Sequence, residues 1–376
     1  MTTIGADGQA LIDGLRVLAA RGLAEMVNER TGLFPHKVVL TDGAVEPRGE
    51  NPFYSAISLI GLLCSDVEEV WEGRVSLGRA IDAVVREARR SSDAALIGTT
   101  IWLLALASDA RAAAVLADLE RRWTGADRPT TEIAFVVSGA VAAMERLPAC
   151  RDRAGRLAAT GVRLLTERWV ASAQLFGGQR GWRPRALVAR NLTSFANQVY
   201  PLHALGRHAL VALDEIPACA VRTAERLVAQ QGSLGQWWWL YCARDGTVVD
   251  GYPVYSVHQD GMAFLGLAPL DQGGRYANAL WRGLLWVDGA NELGRSLVDR
   301  ERNLVVRCIQ RVGSHADAPS GMSRRALAAA QLASWGVGRP VGPRAEPSRL
   351  EILYECRPYH LGWLLYAWSL ARSRGS

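Results

Sequence analysis

Apolar residues along this chain fall into two alternating patterns. Six segments run from a polar or aromatic cluster straight into a stretch that is apolar on every side: 51–63 (NPFYSAISLIGLL), 94–107 (AALIGTTIWLLALA), 130–144 (TTEIAFVVSGAVAAM), 194–206 (SFANQVYPLHALG), 255–269 (YSVHQDGMAFLGLAP) and 357–371 (RPYHLGWLLYAWSLA). Each follows an Arg- and Ala-rich segment with apolar positions three and four residues apart: 11–28, 77–90, 110–123, 152–168, 218–231 and 275–287. A helix apolar all round belongs inside a protein, and an amphipathic one faces water. Six alternations therefore predict six helical hairpins closed into a ring, an all-α (α/α)6 toroid. Its inner helices would all point one way, so their N-terminal polar clusters would share one mouth. Function is expected there.

Local signals support the division. Asp93 and Asp109 stand as N-caps, and Pro52, Pro129 and Pro358 stand near inner-helix starts, where a missing N–H costs little. Alternation of period two is confined to 37–40 and 247–249, enough for a small hairpin in a connection. The connections 31–50, 169–193 and 232–254 are long, and 288–356 is the longest. Long connections in compact domains are usually functional. The last is expected to be an insertion or lid within the final hairpin, with a helix over 324–335 and then a Gly/Pro-rich strap. No linker divides the chain, so 1–376 reads as one domain.

Composition narrows the classes. The chain is 49% hydrophobic with a formal charge of +6, and all its basic residues but Lys37 are arginines. They are scattered over outer segments, which speaks against nucleic-acid binding. The six cysteines form no CxxC pair, so free thiols in a reducing cytoplasm are expected. The first residues lack the pattern of a signal peptide, and the uncharged run near 94–108 is too short to span a bilayer. Oligomeric state is left open.

Three clusters carry candidate chemistry. In 250–260 (DGYPVYSVHQD), Tyr252, Tyr255, His258, Gln259 and Asp260 crowd the start of an inner helix. Residues 255, 258 and 259 share a face. Five polar groups exceed what capping requires. In 355–360 (ECRPYH), Glu355, Arg357, Tyr359 and His360 do the same. The third is 231–239 (QGSLGQWWW), where Trp237, Trp238 and Trp239 follow an outer helix. Asn51 and Tyr54 open the first inner helix and Asn197 the fourth, while Glu292 and Asp299 come from the last connection. All would line the mouth. Asp260 is the first choice for general acid or base, with Glu355 or Glu292 opposite. His258 and Tyr255 could instead move a proton beside a uronate whose carboxylate Arg357 binds. Burial would raise the Asp260 pKa and a protonated His258 would lower it. N-capping and turn stapling are the plainer reading of these residues.

Gln231, Gly235 and Trp237 give Q-x-x-x-G-x-W, with a weaker echo from Gln174 to Trp182 (QLFGGQRGW). This resembles the QW motif of squalene and terpene cyclases, in which Gln caps a helix and Trp stacks across a turn to staple an α/α toroid. The whole chain also looks like the six-hairpin glycosidases, uronyl hydrolases, lyases and epimerases built on that ring. Protein prenyltransferases, on the same ring, bind zinc through Asp, Cys and His. Asp299, Cys308 and His360 could be assembled here, and Cys356 and His360 are spaced i, i+4, but the local contexts differ. No metal or cofactor is expected. The acid motif DxDD and the diphosphate motif DDxxD are absent, as are GxSxG, the Walker loop and an opening GxGxxG. The favoured expectation is an enzyme acting on a saccharide or glycoconjugate by carboxylate and histidine acid–base chemistry. An isoprenoid enzyme is the first alternative and a non-catalytic binding or scaffold protein the second.

Overall fold

The computed structural model describes residues 6–41, 44–65, 71, 75–123, 125, 127–178, 191–271, 273–313 and 346–372. Outer helices are α1 (Ala6–Met26), α3 (Leu77–Arg90), α5 (Arg111–Arg122), α7 (Arg151–Glu167), α9 (Ala218–Ala229) and α11 (Ala277–Val287). Inner helices are α2 (Pro52–Leu63), α4 (Ala94–Leu106), α6 (Thr130–Arg146), α8 (Ala196–Ala212), α10 (Ala263–Leu267, continuing a π-helical turn His258–Met262) and α12 (Pro358–Arg372). Each inner helix touches the next in chain order, and α12 returns to α2. The ring closes as an (α/α)6 toroid.

The two helix types differ as the pattern requires. In α4 every residue from Leu96 to Ala105 is buried. In α3 only the face carrying Ala80, Ile81, Val84, Val85 and Ala88, with Ala83 beside it, is buried, and Arg89 and Arg90 end the helix in solvent. Side-chain caps set the starts of α2 and α4. Asn51 accepts the Tyr54 N–H at 3.0 Å, and Asp93 Oδ1 accepts the Ala95 N–H at 2.8 Å. Such caps contribute about 1 kcal/mol each. Neighbouring inner helices meet backbone to backbone at glycines. A Cβ on Gly61 would lie 2.3 Å from the Gly362 carbonyl oxygen, and one on Gly139 would lie 2.1 Å from that of Gly98.

The fifth inner segment departs from expectation. Its first turn is π-helical and Pro269 closes it in a short 3₁₀ turn, so its α-helical part is brief. The connections also carry more strands than period-two alternation revealed, because all have only two to five residues, among them β3 (Trp169–Val170), β4 (Leu175–Phe176), β5 (Leu192–Ser194) and β6 (Leu240–Cys242). The expected hairpin at 37–40 is β1 (Lys37–Thr41) with β2 (Ala44–Arg48), and 247–249 falls in β7 (Val248–Asp250). Two sheets shape the mouth. β13 (Glu355–Cys356) pairs with β1, Val39 opposite Glu355. β11 (Cys308–Arg311) lies between β12 (Leu350–Leu353) and β8 (Val254–Tyr255), with Cys308 opposite Tyr255. The last connection thus contributes strands to the mouth wall. The helix expected over 324–335 and much of the strap lie outside the described residues. None of the described helices is long and apolar enough to cross a membrane.

Candidate active site

The two sheets bring the fifth and sixth clusters together. The Arg307 backbone N–H donates to the Glu355 carbonyl at 2.8 Å, and the Ser256 N–H donates to the Arg307 carbonyl at 3.0 Å. Arg307, absent from the sequence-based site, thereby sits between Tyr255 and Glu355. Its guanidinium lies 5.2 Å from the Tyr255 ring centroid, and its Nη1 lies 2.8 Å from a Glu355 oxygen. Arg357 Nη2 reaches the same oxygen at 3.1 Å, and Lys37 Nζ reaches the other at 3.2 Å. Burial pushes the Glu355 carboxyl up, but Arg307, Arg357 and Lys37 outweigh it and hold the pKa below the usual glutamate range. Glu355 is thus an anchor for three cations, not the free acid or base expected. The cations outnumber it, and the buried Arg307 Nε has no hydrogen-bond partner among the described residues.

Aromatic rings frame this cationic wall. Tyr54 lies 4.5 Å from Tyr359 and stacks on His36 at 5.3 Å, centroid to centroid. Trp239 meets Tyr255 edge-on at 5.9 Å. His36 is held neutral by burial first and then by Arg357 and Arg307, which push its pKa down. Asn51 caps α2 and also bonds His36 Nδ1 at 3.1 Å. Asn197 is half-buried in the first turn of α8.

Asp260 and His360 meet, as their clusters do, but below the surface. His360 Nε2 lies 2.8 and 2.9 Å from the two Asp260 oxygens. Asp260 is wholly buried and His360 nearly so. This pair locks the fifth inner segment to α12 instead of facing solvent. His258 is buried against Phe195 and Tyr255, and burial pulls its pKa down to about 3. It stays neutral and is a poor base at ordinary pH.

Other expected binders are spent on structure. Gln259 accepts the Trp237 N–H at 2.9 Å and returns a bond to its carbonyl at 3.2 Å. Gln198 clamps Phe176 in the same way, at 2.7 and 3.0 Å. Both clamps span 22 residues, so in this device Phe176 is the counterpart of Trp237; Trp182 lies outside the described residues. Trp237 is wholly buried, and Trp238 donates its indole N–H to the Gln230 carbonyl at 2.8 Å. Gln231 staples the turn by donating to the carbonyls of Gly235 and Ala279, at 2.9 and 2.7 Å. Glu292 accepts from Tyr252 Oη (2.6 Å), Gln236 Nε2 (2.9 Å) and Trp286 Nε1 (2.8 Å). Those three donors tie Glu292 and Tyr252 into the frame of the mouth. Asp299 holds a turn through Arg302, whose backbone N–H and Nη1 each donate at 3.0 Å. Its hairpin of β9 (Val298–Asp299) and β10 (Leu304–Val305) rests on α1. Among the described residues no three His, Cys, Asp or Glu side chains are grouped to hold a metal ion.

The wall formed by α4 and α6 holds what the sequence did not reveal. Glu132 lies in the first turn of α6, with its side chain 21% exposed. Burial, and then the charge of Asp93 at the neighbouring helix start, raise its pKa. Arg128, 3.3 Å away, and the Ala94 N–H only partly offset them. Phe135, one turn deeper, meets Phe53 edge-on at 4.9 Å. Glu132 stands within an apolar run, and Asp93 reads as a cap, which it is. Only the closed ring makes them neighbours.

No family model matches the chain, and no curated protein matches it. Solved structures do. A variant of UGL with dGlcA-Glc-Rha-Glc is 15% identical and superposes with a TM-score of 0.59, covering 98% of this chain and 97% of that one. The fold is shared. A possible member of the GH105 family from Salmonella enterica serovar Paratyphi A is 9% identical, with a TM-score of 0.59 over 97% of this chain and 95% of that one. A variant of unsaturated glucuronyl hydrolase from Streptococcus agalactiae is 10% identical, with a TM-score of 0.57 over 96% and 91%. The ring matches theirs nearly end to end, and the likeness is one of fold.

Proposed function

We propose that the chain is a hydrolase of uronate-bearing oligosaccharides, working at the N-terminal mouth of the ring. The carrying observation is the division of that mouth. One wall holds Glu132, a carboxyl kept protonated to higher pH than usual, beside Asp93. The other holds Lys37, Arg307 and Arg357 around a single carboxylate. Between them stand Tyr54, Tyr255, Tyr359 and Trp239. The cationic wall suits the carboxylate of a uronate, and the aromatic faces suit sugar rings. One neighbour in fold is named for unsaturated glucuronyl hydrolysis, which agrees with an acidic sugar as substrate.

In this reading protonated Glu132 gives its proton to the glycosidic oxygen as the bond to the sugar carbon breaks. Asp93 takes a proton from the water that adds to the sugar. Asp260 and His360 are positioning residues that hold Arg357 and Tyr359 at the rim. None of the six cysteines is in a disulfide, which supports a reducing, cytoplasmic setting.

The test is turnover of unsaturated and saturated glucuronyl disaccharides, followed by product chromatography, for wild type and Glu132→Gln. Turnover by wild type and its loss in the variant are expected. No turnover of any uronate by a folded wild type, or full activity in Glu132→Gln, would reject the reading. The same cations would also attract a diphosphate, so prenyl diphosphate in the same assay is the control against an isoprenoid ligand.

A further inference from the structure

A second cavity, of about 390 Å³, opens at the opposite end of the ring, among the C-terminal halves of α2, α4, α6, α8 and α12. The rings of Phe135, Tyr200 and Trp363 lie between it and the mouth, with Trp363 donating to Tyr200 Oη at 3.1 Å. On the cavity side, His203 stacks on Trp102 with centroids 5.0 Å apart. Its Nδ1 lies 3.1 Å from Ser138 Oγ and its Nε2 lies 3.1 Å from Tyr366 Oη.

A hydrogen count at this relay points outward. Burial, and then the charge of Arg207, hold His203 well below its usual pKa, so it carries one N–H. Ser138, His203 and Tyr366 together bring three hydrogens to two links. Whichever tautomer His203 adopts, one hydroxyl hydrogen is left without an acceptor. Ser138 and Tyr366 make no other side-chain hydrogen bond through these hydroxyls among the described residues, and both line the cavity. An unused buried donor is costly unless something accepts it.

The rest of the lining defines that acceptor's bearer. Leu63, Leu106 and Val141 make apolar walls. Burial pushes the Cys64 thiol up to about 11, so it adds no charge. At the rim Arg207 is paired with Glu145 at 2.5 Å, while Arg146 is exposed and lines the same opening. The relay is ill-suited to nucleophilic catalysis, because a buried histidine without a carboxylate partner is a weak base for Ser138.

We propose that this cavity binds a small carboxylate with a flat apolar body and an oxygen acceptor at its far end. The acceptor meets the Ser138–His203–Tyr366 relay and the carboxylate meets Arg146. Such a ligand fits the volume, and the site is independent of the function assigned to the mouth.

The probe is 4-acetylbenzoate, titrated into the full chain by calorimetry. Two controls are 4-isopropylbenzoate, which lacks the acceptor, and the methyl ester of the probe, which lacks the charge. Saturable binding with a Kd below about 1 mM is expected. It should weaken about tenfold in Arg146→Gln and with either control, and vanish in Leu106→Trp, which fills the opening. Melting curves check that both variants remain folded. Glu132→Gln should bind as wild type does. Absence of saturable binding would overturn the proposal. So would equal affinity for 4-isopropylbenzoate, indifference to Arg146→Gln, or loss of binding in Glu132→Gln.

Discussion

The two ends of the ring are built from the same inner helices and have opposite chemistry. At the mouth, helix N-termini present positive partial charge, and Asp93 and Glu132 stand on two of them. At the far end, C-termini present negative partial charge, and Arg146 stands in the last turn of α6, with Arg207 more than a turn before the end of α8. At each end burial favours the neutral form of one titratable group, but to different degrees. Glu132 is partly exposed and its pKa is only raised, so it still gains and loses a proton. His203 is buried outright and its pKa is driven far down, so it keeps one protonation state. Partial burial leaves a proton exchangeable, while full burial fixes one protonation state.

The sharpest way to break this contrast is Glu132→Gln. Removal of a general acid should lower kcat by about 10²–10⁴-fold with little change in KM, read from initial rates on the uronate disaccharide that wild type turns over. A similarly large effect, on stability instead, is expected from Glu355→Gln. It leaves Lys37, Arg307 and Arg357 facing one another in a buried site and should cost about 3–5 kcal/mol in urea unfolding. Arg146→Gln should change neither number.

The pH dependence offers finer tests. With Glu132 as the proposed acid, the rate should fall as pH rises through its raised pKa. Asp93 pushes that pKa up, and Arg128 pushes it down. Arg128→Gln should therefore move the falling limb to higher pH, by about one unit or less, whereas Asp93→Asn should abolish turnover, because it removes the proposed base. Stability should behave differently. His258 and His203 have folded pKa values below the unfolded value of about 6.5, so their contribution is full above that pH. It should be lost as pH falls toward the folded values, and unfolding midpoints between about pH 7 and 4 would show the decline.

The ring was legible because burial writes itself along one helix at a time. Segment 77–90 is the helix Leu77–Arg90, and 51–63 differs by one residue from Pro52–Leu63. The meeting of Asp260 with His360 was also within reach, since both lie near inner-helix starts. Their depth was not, because it depends on sheets made by Arg307 and Cys308 from a distant connection. Gln259 looked surplus to capping, yet its amide clamps the Trp237 backbone. Glu132 escaped notice because its perturbing charge, Asp93, belongs to another helix. In the QW-like run Gln231 staples a turn, while Trp182 of its echo lies outside the described residues. The repeated device is the aromatic-to-Gln clamp of Phe176 with Gln198 and Trp237 with Gln259.

Gly98 and Gly139 sit a turn or two below Asp93 and Glu132, where α4 and α6 touch with no room for a methyl group. If those two carboxyls act as the proposed pair, this contact sets the gap between them. The same gap decides whether a glycosidase releases its sugar with inverted or retained configuration at the anomeric carbon, on a scale of a few ångströms. The handedness of the product would then be fixed partly by two residues that have no side chain and never meet the sugar. An alanine at either position would be read first in the anomer ratio of the fresh product.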